Sequence, residues 1–226
     1  MTKPVLGYWG IRGMAQHIRL LLEYTGTEFE DKQYIGSPDY VSSAWFEEKT
    51  KLGLDFPNLP YYMDGDLKLT QSNAIMRYLA QKHNLCGTTD TERSHCDMLT
   101  GQAYDFRMKY NQLCYYTKFM SKDDLEAAKK EYVEEKLPGM LKEFSDFLSN
   151  RKWFIGDKIR YVDFILYELF DMHRLLDPKC LQDYQNLIDF QDRFEALEQI
   201  KTYRSSSRFM KIPPNAPFAN FQLEYK

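Results

Sequence analysis

Strand-forming signals in this 226-residue chain are confined to its first third, and that asymmetry limits the possible folds more than any other feature. Val5–Trp9 is a short apolar run ending at the turn signal Gly10-Ile11-Arg12-Gly13. Met14, Ile18, Leu21, Leu22 and Thr25 then recur at helical spacing, with Gly26 placed as a C-terminal cap. A second strand is expected over residues 28–34, followed by a loop over 35–44 carrying Gly36 and Pro38. Tyr61–Asp64 and Leu67–Thr70 flank Gly65-Asp66, which reads as a hairpin with a tight turn. Gln71-Ser72-Asn73 opens a helix with Ala74, Ile75, Tyr78 and Leu79 on one face, and Ser72 or Thr70 is the expected N-cap.

A βαβ start followed by ββα makes a mixed four-stranded sheet with helices against it, the thioredoxin-like arrangement. Residues 1–83 are therefore expected to form an α/β domain and 84–90 a polar linker. Residues 91–226 are expected to form an all-helical domain, so the fold class is α/β plus all-α. Residues 91–116 and 121–149 read as long helical stretches, the second interrupted by Pro138-Gly139. In 161–176 the apolar residues Val162, Phe164, Ile165, Leu166, Leu169, Phe170 and Met172 wrap most of the circumference, which predicts a buried central helix. A further helix is expected over 187–197, and the Pro-rich segment from Ile212 is expected to be irregular.

Several kinds of chemistry lack support. The net charge of −3 argues against a nucleic-acid protein, which carries a basic excess. No apolar run approaches the roughly 18 residues that cross a bilayer, and the first residues lack a signal-peptide core. Cys86, Cys96, Cys114 and Cys180 form no CxxC pair and read as reduced thiols, so the cytosol is the expected location. His17, His83, His95 and His173 offer no ligand spacing, so no metal site is expected. P-loop, G-x-S-x-G and G-x-G-x-x-G patterns are all missing. The 17 Tyr and 15 Phe suit a core or a pocket for flat apolar ligands.

Five segments resemble the mu class of cytosolic glutathione transferases in order and spacing. They are Leu6-Gly7-Tyr8-Trp9 with Ile11-Arg12-Gly13; Arg19-Leu20-Leu21-Leu22-Glu23-Tyr24; Lys51-Leu52-Gly53-Leu54-Asp55-Phe56-Pro57-Asn58-Leu59-Pro60-Tyr61; Thr70-Gln71-Ser72-Asn73-Ala74-Ile75; and Ser206-Ser207-Arg208-Phe209. The resemblance implies an enzyme that conjugates the thiol of glutathione, its co-substrate, to hydrophobic electrophiles, with no other cofactor. A non-catalytic ligand-binding or structural protein on the same scaffold is the alternative, because fold alone does not certify activity.

The resemblance also assigns residues. Tyr8 matches the hydroxyl that donates a hydrogen bond to the glutathione sulfur. A donor aimed at the charged form lowers its pKa. A free thiol near ~8.5 is only about 3% thiolate at pH 7, and a drop of two units, roughly 2.7 kcal/mol, would make the thiolate dominant. The helix N-terminus after Gly13 adds favourable potential. Tyr115 matches a second tyrosine that donates to the electrophile. Trp9, Trp45, Lys49, Asn58, Leu59, Gln71 and Ser72 match glutathione contacts. Pro60 is expected to be cis, with the Leu59 backbone pairing with the cysteinyl portion. Asp105 matches an acid that reaches glutathione on a neighbouring subunit. Ile11, Met108, Tyr115 and Phe209 are expected to line the substrate pocket. Phe56 and Arg77 match dimer-interface residues, so a homodimer is implied.

The chain departs from the pattern at two informative places. Ser42 stands where an arginine helps bind the glycyl carboxylate. Arg160 stands where Ser or Thr caps the central helix, and Arg cannot accept the N–H bond, although Asp163 still can.

Overall fold

The computed structural model describes residues 3–35, 43–115 and 120–221. The loop expected over 35–44, with Gly36, Pro38 and Ser42, lies largely outside these residues. The first domain runs β1 (Val5–Trp9), α1 (Gln16–Tyr24), β2 (Glu30–Tyr34), α2 (Ser43–Glu48), β3 (Tyr61–Asp64), β4 (Leu67–Thr70) and α3 (Ser72–Lys82). The sheet order is β2-β1-β3-β4, with β1 parallel to β2 and the other pairs antiparallel. The expected strands are present, β2 starting at Glu30 rather than at 28, and α2 is a short helix that the sequence reading did not identify.

The pleat divides the sheet's side chains between two cores. Leu6, Tyr8 and Tyr62 face the main core, which α1, α3 and the helical domain cover. Tyr34 and Tyr61 face a smaller cluster with Trp45 and Leu54. Gly7 is required here by close approach: a Cβ would lie 2.1 Å from the Tyr61 ring. α3 differs from expectation at its start. Its N-cap is Gln71, and Ser72 is the first helical residue.

The second domain comprises α4 (Asp90–Tyr115), α5 (Lys122–Glu131), α6 (Leu137–Leu148), α7 (Tyr161–Leu176), α8 (Gln185–Glu195) and α9 (Glu198–Ser205). The sequence reading did not separate α9 from the helix before it. The interruption expected at Pro138-Gly139 is instead a π-helical turn at Tyr132–Lys136, just ahead of the proline. Pro138 sits in the first turn of α6, directly after the π-helical turn. α7 is buried along nearly its whole length, as its apolar circumference predicts.

Arg160 shows how the central helix dispenses with a hydroxyl cap. Asp163 Oδ2 accepts from the Arg160 N–H at 2.7 Å, and Oδ1 accepts from the Phe154 N–H at 3.0 Å. The Arg160 guanidinium turns away to pair with Glu92, Nη2 to Oε2 at 2.8 Å. The acid three residues on therefore carries the cap, and Arg160 ties α7 to the start of α4.

α1 packs against α7 and α9, so the domains share one core. At their junction Arg12, fully buried in the β1–α1 loop, reaches α7. Its Nε donates to Glu168 Oε1 at 3.0 Å and its Nη2 to Glu168 Oε2 at 2.7 Å and Asp171 Oδ2 at 2.5 Å. Burial pushes the Glu168 carboxyl upward, and Arg12 pulls it back. Removing one partner of such a cluster strands the others without compensation. Arg12→Met is expected to lower stability by about 3–5 kcal/mol in urea unfolding at fixed protein concentration. An unchanged midpoint would mean the cluster does not hold the domains together.

Candidate functional site

Tyr8 is the penultimate residue of β1 and points into the main core, 6% exposed. Beyond the strand the chain turns through Gly13, whose φ of +40° and flush contact with the Tyr8 ring exclude a side chain. A Cβ there would lie 2.6 Å from Oη. That turn brings the Met14 N–H to the Tyr8 hydroxyl, which accepts from it at 3.0 Å. The phenol oxygen is thus supplied with a donor, and its own proton remains to be given. Burial raises the Tyr8 pKa, partly opposed by Met14 and by the Arg107 and Arg19 charges, so the hydroxyl stays protonated at neutral pH. Tyr8 is built as a hydrogen-bond donor.

Tyr115, the last residue of α4, repeats the device. Its hydroxyl accepts from the Ala216 N–H at 3.0 Å, and burial likewise raises its pKa. Tyr8 and Tyr115 line one cavity of about 450 Å³. Trp9, Ile11, Gly13 and Met14 contribute from the first domain, Arg107 and Asn111 from α4, and Asn215, Ala216 and Phe218 from the closing segment.

The closing segment is irregular, as expected, but it is firmly placed. Pro213 and Pro214 carbonyls accept from the Arg12 and Gly13 N–H groups at 3.0 and 3.1 Å. Asn215 Nδ2 donates to Tyr110 Oη at 2.8 Å, and the Asn220 N–H donates to the Cys114 carbonyl at 2.8 Å. The Phe218 ring lies edge-on to Tyr115. The peptide bonds before Pro60 and Pro213 are both cis.

A second group of the sequence-assigned residues lies at the start of α3, before β3 and on α2 and the turn after it. Gln71 has φ 72° and ψ 111°, a strained conformation for a residue with a side chain, and strain of this kind concentrates at ligand clamps. It presents the N-terminus of an 11-residue helix, with no side-chain cap and with Ser72 buried beside it. The Leu59 N–H is held by Asn58 Oδ1 at 2.9 Å, so pairing with a ligand would require Asn58 to release it. Trp45 is 5% exposed and stacks on Tyr61 in the smaller core, while Lys49 lies over the Phe46 ring.

Other expected residues stand apart from the Tyr8 cavity. Met108 and Asp105 line a separate groove of about 590 Å³ with Lys109 and Gln112. Phe209 packs edge-on against Tyr203, with the Arg204 guanidinium over its ring, and is not among the described residues lining the cavity. The reason is helical phase: Met108 belongs to the face of Asp105 and Gln112, one step round α4 from Arg107, Asn111 and Tyr115. Phe56 is 77% exposed, and Arg77 pairs with Asp97, Nε to Oδ1 at 2.9 Å. Arg107 and Asn111 were missed, although their four-residue steps back from Tyr115 could have revealed them. No comparable pattern marks Asn215, Ala216 or Phe218.

Residues 4–81 match the family description "Glutathione S-transferase, N-terminal domain", and residues 104–207 match "Glutathione S-transferase, C-terminal domain". Glutathione S-transferase 2 of Gallus gallus is 51% identical over 210 residues, 92% of each chain. Glutathione S-transferase Mu 2 of Mus musculus is 53% identical over 216 residues, 95% of this chain and 96% of that one. The solved structure of the glutathione S-transferase Blo t 8 is 32% identical and superposes with a TM-score of 0.86, covering 96% of this chain and 99% of that one. With both domains matched, and half the residues shared with mu-class relatives over nearly the full length, the chain belongs to the glutathione S-transferase family and is an enzyme of its mu class that conjugates glutathione.

Proposed function

We propose that Tyr8 activates the glutathione thiol and that Tyr115 assists the electrophile in the same cavity. The observation that supports this reading most directly is the Met14 N–H donating to Tyr8 Oη, which leaves the phenol proton available for donation to a sulfur in the cavity. The thiol loses its proton to solvent, and the Tyr8 O–H stabilises the thiolate that remains. The thiolate then attacks the electrophilic carbon, and charge moves onto the electrophile. Tyr115, with its oxygen already receiving the Ala216 N–H, donates to that developing charge. Ile11 and Phe218 supply apolar wall, so hydrophobic electrophiles are the fitting substrates. A non-catalytic role on this scaffold is not favoured.

In the same reading, Gln71 and the N-terminus of α3 take the γ-glutamyl carboxylate, Ser72 adds a hydroxyl, and Trp9, Trp45 and Lys49 face the glycyl end. Leu59 takes the cysteinyl backbone once Asn58 releases its N–H. The protein acts as a cytoplasmic homodimer. Phe56, exposed and apolar, is the anchor for the partner subunit, and Asp105, exposed on α4 in the groove beside Met108, reaches glutathione bound across the interface. Among the described residues no helix is long and apolar enough to cross a membrane.

Three measurements test this reading. Tyr8→Phe is expected to retain glutathione but to raise the bound-thiol pKa by about two units, cutting turnover near neutral pH roughly 100-fold. Near-ultraviolet absorbance of the thiolate against pH reports it directly, and an unchanged titration would remove Tyr8 from the mechanism. Tyr115→Phe is expected to leave that titration in place while slowing turnover of epoxides or unsaturated carbonyls by about tenfold or more. Equal loss for substrates that develop no oxyanion would argue against hydrogen-bond donation. Phe56→Ser is expected to shift the protein toward monomer in sedimentation velocity, with loss of activity at low concentration. A variant as dimeric as the parent would rule out the anchor.

A further inference from the structure

Arg107 is a buried cation without the partners that such a group requires. It lies on α4, 3% exposed, in the wall of the cavity that holds Tyr8 and Tyr115. Its Nη1 donates to the Met172 sulfur at 3.5 Å, a weak acceptor, and its Nη2 is buried with no hydrogen-bond partner. The two acids of α7 are within the same core, but both are hydrogen-bonded to Arg12. Glu168 therefore compensates Arg107 only through space. A guanidinium does not shed its proton in a protein, so the positive charge stays and the chain bears the expense of burying it.

Arg107 shares its cavity with Tyr8 and Tyr115, where the reading above puts the developing negative charge. We propose that Arg107 is an electrostatic positioning residue, whose field on Tyr8 and on the adjoining cavity stabilises the glutathione sulfur as an anion. The inference rests on the activated-thiolate reading above and adds a second source of stabilisation to the Tyr8 hydrogen bond. Preorganised charge in a dry wall acts without reorganising when the anion forms. It also acts at longer range than a hydrogen bond, because little water intervenes to screen it.

Among the groups facing Arg107, one opposes its charge over the assay range. Glu168 faces it from α7, and Tyr8 from β1, and Tyr110 and Tyr115 share its own helix. Burial raises the pKa of all three tyrosines, so none is an anion near neutral pH. His17 of α1 has both ring nitrogens buried without partners, and burial lowers its pKa well below the usual imidazole range, with Arg107 and Arg19 adding to the effect. His173 of α7 is lowered to about 4 by burial, also with a contribution from Arg107. Both imidazoles are therefore neutral near neutral pH, and Glu168, already engaged by Arg12, is the counter-charge.

The test is the bound-thiol titration on the full-length enzyme saturated with glutathione, for wild type, Arg107→Met, Arg107→Lys and Tyr8→Phe in parallel. Arg107→Met removes the charge but keeps an apolar chain of similar length. It is expected to raise the bound-thiol pKa by about one unit, a tenfold loss of thiolate fraction on the low-pH side. The acid limb of the turnover profile should move with it. Arg107→Lys is expected to restore most of that shift, which a packing role would not do. The urea midpoint of Arg107→Met is expected to stay level or rise, because a buried cation with no hydrogen-bonded acid has been removed. A wild-type titration in Arg107→Met, alongside a shifted one in Tyr8→Phe, would overturn the inference and leave the Tyr8 reading standing. Titrations unchanged in both would overturn the Tyr8 reading itself. A shift in Arg107→Met that Arg107→Lys fails to reverse would also overturn the inference, since the effect would then follow shape rather than charge.

Discussion

The bidentate grip of Arg12 on Glu168, shared with Asp171, sets the frame for the rest of the molecule. A fully buried guanidinium must be neutralised, and the two acids that do so lie three residues apart on one face of the central helix. The loop carrying Arg12 is consequently located relative to α7, deep in the second domain. That same loop contains Gly13 and Met14, which seat the Tyr8 ring and hydroxyl. A residue with no part in bond making thus determines where the phenol stands. The closing segment takes its bearings from the same loop, through the Arg12 and Gly13 N–H groups.

The two tyrosines of the cavity share one chemical solution. Each sits in an apolar wall that disfavours the phenolate, and each receives a backbone N–H on its oxygen. Burial keeps the proton on, and the backbone bond fixes its direction and sharpens its donor strength. One amide comes from the loop after β1 and the other from the closing segment. The two donors are therefore independently supported, although they open onto a single space.

Much of this architecture was legible in the sequence because the relevant signals are local. β1, β3 and β4 follow from short apolar runs and a Gly-Asp turn, and α7 follows from an apolar circumference that allows only burial. The acid at Asp163 was legible as a cap even with Arg160 in the capping position. Less visible were features that depend on distant partners. Gln71 adopts a left-handed conformation that nothing in Thr70-Gln71-Ser72 announces, and it displaces Ser72 from cap to first helical residue. Phe209 looked like pocket wall by resemblance, but Tyr203 on α9 offers it an aromatic partner. Arg107 reads as an ordinary helical charge until α1 and α7 close over it. Asn215, Ala216 and Phe218 carry no periodicity at all, and only tertiary hydrogen bonds place them.

The position of the closing segment has a consequence for the order in which the protein becomes competent during synthesis. Tyr8 and its loop are synthesised well ahead of the helical domain, and the α/β domain can pair its strands soon after residue 70 is free. The wall that completes the cavity lies some two hundred residues downstream, where Pro213 and Pro214 meet Arg12 and Gly13 and Ala216 meets Tyr115. Until that stretch has cleared the exit tunnel, the β1–α1 loop lacks two of its backbone acceptors and the cavity stands open to water. A nascent chain can therefore carry a folded first domain and most of its helices while its phenol remains solvated. The cavity is closed only once residues 213–216 have reached the β1–α1 loop and Tyr115.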